Sequence, residues 1–272
     1  GPSSPAGVQD AVQVSAGASH TCATTSAGAA KCWGNNYNWQ LGDGTTTNSS
    51  LPRQVTGLDS GVAQTIAGGT HSCALMADKT VKCWGDNQLG QLGTGNTTSS
   101  HTAVSVAGLP APVHALSLTA GATCAIVVGG DVWCWGAGVS DTGIVLVPTR
   151  IGQTGLDAIK VGTSQNSTCV ITSGGVAKCS SPGILSGEFI TFPGLESGVV
   201  DLSKGASHTC ALMLDGMVWC QGYGSVGQLG PATNGEDQPL TMIPGMPAGV
   251  VSVVAGYDFS CVQTVFGAVK CW

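Results

Sequence analysis

Ala67-Gly68-Gly69-Thr70-His71-Ser72-Cys73, then a short turn, then Val81-Lys82-Cys83-Trp84-Gly85: this stretch recurs in varied form six times, and its spacing decides the fold. The cysteines fall as Cys22 with Cys32, Cys73 with Cys83, Cys124 with Cys134, Cys169 with Cys179, Cys210 with Cys220 and Cys261 with Cys271, always ten residues apart, with none left over. The residue just past the midpoint of each pair is Gly28, Gly130, Gly175, Gly216 or Gly267 in five units and Lys79 in the other. A three-residue hairpin loop is usually a type I turn followed by a left-handed residue, which glycine supplies without steric cost. Leu214-Asp215-Gly216 has the sequence such a loop wants. The two cysteines then face each other across an antiparallel pair, with Cα atoms roughly 4.5 to 5.5 Å apart, within reach of a disulfide. This predicts six cross-strand disulfides, one per hairpin. Zinc sites usually place paired cysteines two to four residues apart on one knuckle, and none of these pairs does so. Each disulfide closes a loop of about 11 residues, so the chain-entropy gain is at most about 3 kcal/mol apiece.

A chain of 272 residues is long enough to bury a substantial core without covalent help. Twelve paired cysteines therefore point to an oxidising setting, and the expected location is secreted, periplasmic or at the cell surface. No stretch reads as a signal peptide, and the Gly1-Pro2-Ser3-Ser4 start fits a mature terminus or an expression scar alike. Charged residues make up 9% of the chain, the net charge is −6, and the nine basic residues are spread along its length, so no basic stripe exists for a polyanion. Nucleic acid is not expected as a partner. No apolar run approaches the roughly 18 residues of a membrane span, so membrane insertion is not expected either. Asn48-Ser49-Ser50, Asn96-Thr97-Thr98 and Asn166-Ser167-Thr168 match the glycosylation acceptor pattern, as chance alone would also allow in a Ser/Thr-rich chain.

Successive first cysteines lie 51, 51, 45, 41 and 51 residues apart. That period accommodates four short strands and their turns, and marks a propeller or solenoid. In the second unit, Val62 to Ile66 reads as a short strand, His71 to Met76 and Thr80 to Trp84 as the disulfide hairpin. A loop with Gly90-Gln91-Leu92-Gly93-Thr94-Gly95 follows, and a last extended segment leads into Gly108-Leu109.

Three elements in fixed order carry a resemblance: Ala-Gly-x-x-His-Ser/Thr, then Trp-Gly, then Gly-Gln-Leu-Gly-x-Gly. They stand as Ala16-Gly17-Ala18-Ser19-His20-Thr21, Cys32-Trp33-Gly34 and Gln40-Leu41-Gly42-Asp43-Gly44, again from Ala67 to Gly95, and partly as Gly205-Ala206-Ser207-His208-Thr209 with Gly227-Gln228-Leu229-Gly230. This pattern resembles the regulator of chromosome condensation repeat. The resemblance implies a β-propeller of four-stranded blades. Units three and four depart from it, with Gly136-Ala137-Gly138-Val139-Ser140-Asp141 and Ser180-Ser181-Pro182-Gly183 in place of the loop, and Trp39 stands where the first loop glycine belongs. The family usually has seven blades and six are countable here, so either the last blade is incomplete or the natural chain continues past Trp272.

His20, His71 and His208 occupy equivalent positions, which could ring a metal, but Ala122, Ser167 and Phe259 interrupt the set. The repeat itself favours a hydrogen-bonding role for these histidines, and neither a metal nor a cofactor is expected. Trp33, Trp84, Trp135 and Trp272 follow the second cysteine and read as blade-packing residues. Trp133 and Trp219 precede the second cysteine, where Lys31, Lys82, Lys178 and Lys270 stand elsewhere; alternation places them on the face opposite the cysteine, which is expected to be more accessible. With Tyr37 and Trp39 in the loop Asn35 to Trp39, and Tyr223 in the segment Gly222 to Pro231, they form the candidate binding set. All cysteines are consumed, the fifteen acids scatter, and the Gly-Gln-Leu-Gly turn precedes no helix, so no catalytic constellation is expected.

The sequence thus predicts an all-β, disulfide-stapled single domain over residues 1–272, a propeller of about six blades. The expected function is non-catalytic: an extracellular or surface module that grips another protein, its loops varying while the hairpins repeat. The alternatives are a carbohydrate-binding propeller, with aromatic rings stacked on a glycan, and a secreted hydrolase or lyase with an axial site. A non-reduced proteolytic digest analysed by mass spectrometry should show all six pairs oxidised within their own hairpins; free thiols or cross-unit pairs would refute the pairing.

Overall fold

A computed structural model describes residues 8, 10–110, 112–140, 143–164, 167–180, 188–230 and 237–272. Gly1 to Ser4, Asp141, Asn166, Ser181 to Gly183 and Pro231 lie outside the described residues. The fold is all-β and built of six propeller blades, each an antiparallel meander in chain order. Blades 1 to 5 span residues 11–54, 62–105, 113–151, 158–191 and 199–242, with four strands each; blade 6, residues 250–271, has three. Blades 1 to 3 belong to one compact unit and blades 4 to 6 to a second, the division falling between Ile151 and Gly152.

All six cysteine pairs are bonded as the spacing predicts: Cys22 with Cys32, Cys73 with Cys83, Cys124 with Cys134, Cys169 with Cys179, Cys210 with Cys220, and Cys261 with Cys271. Each pair is directly opposed in the ladder between second and third strands. The Cα atoms are 4.0 to 4.1 Å apart, which corrects the wider separation expected from the sequence for every pair. The turn explains this. Thr25 N–H donates to the Ala29 carbonyl to close the first hairpin, so counting back along the ladder puts Cys22 and Cys32 at a non-hydrogen-bonded position, where side chains approach most closely. The bridges differ in their surroundings. Those of blades 1, 2, 3 and 5, Cys220 included, are buried, whereas Cys179 is half-buried and Cys271, on the last strand of the three-stranded blade 6, is exposed. The third loop residue has positive φ throughout, including Lys79 at 71°. In blade 3, which lacks the Gly-Gln-Leu-Gly loop, the third and fourth strands instead run on as a long pair, Val132–Ser140 and Gly143–Ile151.

Within each unit, neighbouring blades bury apolar residues against one another. Trp84 of blade 2 packs with Leu41, Val55 and Leu58 of blade 1, and Trp135 of blade 3 with Leu75, Val81 and Leu92 of blade 2. A polar lock accompanies each packing. The backbone carbonyl of Gln40 accepts from Trp84 Nε1 at 2.9 Å and from Ser72 Oγ at 2.9 Å, and Ser72 Oγ in turn stands 2.7 Å from His20 Nε2. The same set recurs as Gln91 with Trp135, Thr123 and His71. It recurs again as Gln228 with Trp272, Ser260 and His208. Histidine and loop thus come from one blade, hydroxyl and tryptophan from the next. Blades 3 and 4 have neither histidine nor loop, and the blades after them carry Ser180 and Gln221 in the tryptophan's place.

The lock also explains the glycine of the Ala-Gly-x-x-His element. Neither Gly17 nor Gly205 has a positive φ, yet a Cβ at Gly205 would meet the His208 ring Nδ1 at 2.5 Å, and one at Gly17 would meet His20 Cε1 at 2.9 Å. The glycine is there because the ring and the backbone carbonyl of the next blade, Gly68 or Gly256, both lie against it.

Because Ser72 donates to the Gln40 carbonyl, it accepts from His20, so the proton sits on Nε2 and Nδ1 is left buried without a partner; His71 and His208 share this arrangement. Burial pushes His20 down to about 4 and His71 to about 3, the latter also feeling His20 while Asp86 opposes; burial lowers His208 too. A folded pKa below the unfolded value means the unfolded chain takes up the proton first as pH falls. The stabilisation is full above about pH 6.5 and is lost below it. Asp43, Asp78 and Glu196 are depressed from 3.8, 3.8 and 4.5, so what they contribute is present above those values and is lost only as pH falls below them, outside the histidine window. Guanidinium unfolding should therefore show stability nearly constant above pH 7 and falling by about 2 kcal/mol for each of His20 and His71 between pH 6.5 and 4.5. His71→Gln should remove about 2 kcal/mol of that fall and leave the shares of His20 and His208, and a flat profile in the parent would contradict the lock.

Candidate functional site

The loops that follow Trp33-Gly34 and Trp84-Gly85 leave blades 1 and 2 at the end opposite the disulfide hairpin turn, and a single buried asparagine organises each one. Asn36 Nδ2 donates to the carbonyls of Thr45 and Thr47 and to Asp43, while its Oδ1 accepts from Leu41 N–H at 3.0 Å. Asn87 does the same with Asn96, Thr98 and Leu92. The lock glutamine adds a second brace, its Oε1 accepting from Asn38, Leu89 or Val226 N–H at 2.9 to 3.0 Å. Arg53 pairs with Asp43 across the blade 1 loop. These loops are held rigidly by buried amides, so side chains they present to solvent are presented in fixed positions.

The sequence-derived candidates divide. Tyr37 stands on the blade 1 loop, 72% exposed. Trp39 takes the positive φ, 60°, of the glycine it replaces, and its half-buried ring stacks on His101 of blade 2, centroids 4.5 Å apart. Its indole N–H is buried without an acceptor, so packing accounts for most of this residue. Trp133 stands beside the disulfide on the strand's other face. It is half-buried, more accessible than the fully buried Cys134 and Trp135, and packs against the core between blades 2 and 3 with its N–H sealed. Trp219 is half-buried, opposite Ala211 and Met242. Tyr223 is 47% exposed and belongs to the second unit, whereas Tyr37 belongs to the first.

At the same loop end of the second unit as Tyr223, the structure exposes residues not singled out from sequence as binding candidates: Tyr257, 72% exposed, Phe259, 50% exposed, and Val226. The signal was Phe259 itself, which occupies the histidine position and turns a locking residue into an exposed ring. At the opposite end the hairpin turns expose Leu214 and Phe266, the latter 92%. Among the described residues no group of three or more His, Cys, Asp or Glu is placed to hold a metal ion.

The regulator of chromosome condensation (RCC1) repeat family matches residues 31–75 in one profile and residues 11–40, 63–91 and 199–228 in another. The three separate matches start blades 1, 2 and 5, the blades that supply histidine and loop to a lock, and the architecture is the RCC1-repeat propeller fold. The chain is 28% identical over 284 residues to the ultraviolet-B receptor UVR8 of Arabidopsis thaliana, covering 96% of this chain and 64% of the receptor. It spans about half the length of the RCC2 proteins it also matches. Among solved structures, human WBSCR16 superposes with a TM-score of 0.83 at 22% identity, over 93% of this chain and 72% of the other. Yeast RCC1 (Prp20), solved bound to Kap60, gives 0.81 at 18%, over 96% and 69%. At these identities the likeness concerns the fold.

Asn36→Ala would leave the Leu41 amide and the carbonyls it ties inside the loop unpaired. It should lower stability by about 2 kcal/mol or more, since stranding buried polar groups costs roughly 1 to 3 kcal/mol each. Thr46→Ala, at an exposed position of the same loop, should stay within about 0.5 kcal/mol. Equal small effects in denaturant melts would show the loop is not held by Asn36.

Proposed function

We propose that the chain is an extracellular or cell-surface propeller module, without catalysis, that binds another protein through the loop ends of its blades. The observation that carries this reading is the exposed aromatic set Tyr223, Tyr257 and Phe259 at the loop end of one unit. Tyrosine supplies large contact area at low entropic cost and is enriched among residues that dominate binding energy. Rigid loops lower the ordering cost of association. The relation to RCC1-repeat proteins supports the same reading, since Prp20 is a propeller solved in complex with a protein, Kap60. Location outside the cytosol is supported by six disulfides in a chain with no free cysteine. A carbohydrate ligand is the second reading, favoured by the exposed rings of Tyr223 and Tyr257, which could stack on sugar faces.

Partner capture from the native extracellular environment, followed by affinity measurement, tests the first reading. Tyr223→Ala and Tyr257→Ala should each weaken binding by about 2 kcal/mol, roughly thirtyfold. Phe266→Ser and Lys82→Ala, at the hairpin end and on a hairpin strand, should bind like the parent. Loss confined to Phe266→Ser would move the recognition surface to the hairpin turns, and a glycan array hit abolished by Tyr223→Ala would favour the carbohydrate reading.

A further inference from the structure

The junction of blades 4 and 5, inside the second unit, lacks the lock seen elsewhere and holds a cleft of about 250 Å³ instead. Ser167, Lys204, His208, Thr209, Gln221 and Asp237 line it. Thr209 is the counterpart of Ser72, Thr123 and Ser260, each of which donates its hydroxyl to a glutamine backbone carbonyl at 2.9 to 3.0 Å. Here the Thr209 hydroxyl is buried and accepts from Lys204 Nζ at 3.2 Å, which leaves its own proton without an acceptor among the described residues. Gln221 stands where Trp84, Trp135 and Trp272 donate to that same carbonyl, and its half-buried side-chain amide has no hydrogen-bond partner among the described residues.

Lys204 is half-buried and forms no ion pair; the pairs among the described residues are Arg53 with Asp43 and Lys160 with Asp201. Burial without a compensating anion holds its ammonium down to about 8. The cleft therefore gathers the Lys204 ammonium, the Thr209 hydroxyl and the Gln221 amide around the place where, at the three locked junctions, an sp² oxygen sits. Among the described residues, neither the Thr209 proton nor the Gln221 amide is bonded to an acceptor. A half-buried ammonium that forms no ion pair carries part of its desolvation cost, and an anion that pairs with it recovers that cost.

We propose that this cleft is a binding site for a carboxylate, one oxygen taking the position of the lock carbonyl between Thr209 and Gln221 and the charge resting on Lys204. A carboxylate suits it better than a phosphate on two grounds. The oxygen it replaces is planar and carbonyl-like, and Asp237 on the exposed rim disfavours a second negative charge. The carboxylate could be that of a free small acid or one carried by a protein, as a side chain or a chain terminus. The site is separate from the aromatic loop set, so either can fail without the other.

The test is an amide ¹⁵N–¹H NMR titration of the 272-residue chain at constant ionic strength with sodium acetate, with acetamide as the neutral isostere, and with an acetylated, amidated Gly-Glu-Gly peptide. Acetate or the peptide should move the amides of residues 205–209 and 221–222 saturably, and acetamide should bind at least tenfold more weakly. Tighter binding of the peptide than of acetate would assign the carboxylate to a protein, and the reverse to a free acid. Lys204→Met should weaken binding at least tenfold. Gln221→Trp, which restores the residue found at the locked junctions and fills the cleft, should abolish it, and serves as the second variant if Lys204→Met does not fold. No saturable shift with either carboxylate, equal binding of acetamide, or parent-like affinity in both variants would overturn the proposal.

Discussion

One backbone carbonyl per loop, that of Gln40, Gln91 or Gln228, accepts two hydrogen bonds from the following blade, and the order of the chain around it depends on those bonds. A carbonyl has two lone pairs, and burying it between blades is tolerable only if they are used. Trp Nε1 and a Ser or Thr hydroxyl use them, and the histidine of the first blade satisfies the hydroxyl in turn. The bonds span 32 and 44 residues of sequence, so each draws successive blades together at a fixed register. The disulfides do a different job. They close loops within single hairpins and constrain each blade rather than the junctions between them.

Seen this way, the repeat pattern and its interruptions follow one rule. The acceptor is a backbone carbonyl, so it is lost when the loop that positions it is lost, and the tryptophan and hydroxyl of the next blade then lose their shared partner. Blades 3 and 4 have lost histidine and loop together, and the tryptophan is absent from the blade after each. At the junction of blades 4 and 5 the missing set is replaced by Lys204, Thr209 and Gln221, polar residues that leave a cleft. Departures from a repeat are thus informative in groups. A single substitution such as Trp39 for glycine is absorbed locally, by a ring stacked on His101.

The blade hairpins were legible from sequence because everything that sets them lies within eleven residues: two cysteines, a turn glycine and alternating burial. Pairs such as Cys169 with Cys179 and Cys210 with Cys220 needed nothing beyond that window, although the exposure of Cys271 depends on what lies beside its blade. The number of blades followed from the period, and the departures of units three and four could be read directly. The locks were not legible, because their partners are contributed by different repeats and nothing local marks which carbonyl a tryptophan will meet. Alternation with Cys134 put Trp133 on the more accessible face, and it is half-buried there; its packing between blades 2 and 3 needed the neighbouring blade to be seen. Tyr37 and Tyr223 were found by composition and are exposed, whereas Tyr257 and Phe259 needed the topology that brings blade 6 turns to the same end as Tyr223.

A double-mutant cycle on denaturant stability tests the claim that the shared carbonyl couples neighbouring blades. Ser72→Ala and Trp84→Phe remove the two donors to Gln40, and each alone strands part of one lock. The account predicts an interaction energy of about 1 kcal/mol between them, with the cross pair Trp84→Phe and Ser260→Ala, drawn from different locks, additive within about 0.5 kcal/mol. Strict additivity of Ser72→Ala with Trp84→Phe would mean the two donors act independently, and the carbonyl would not be the point on which the junction depends.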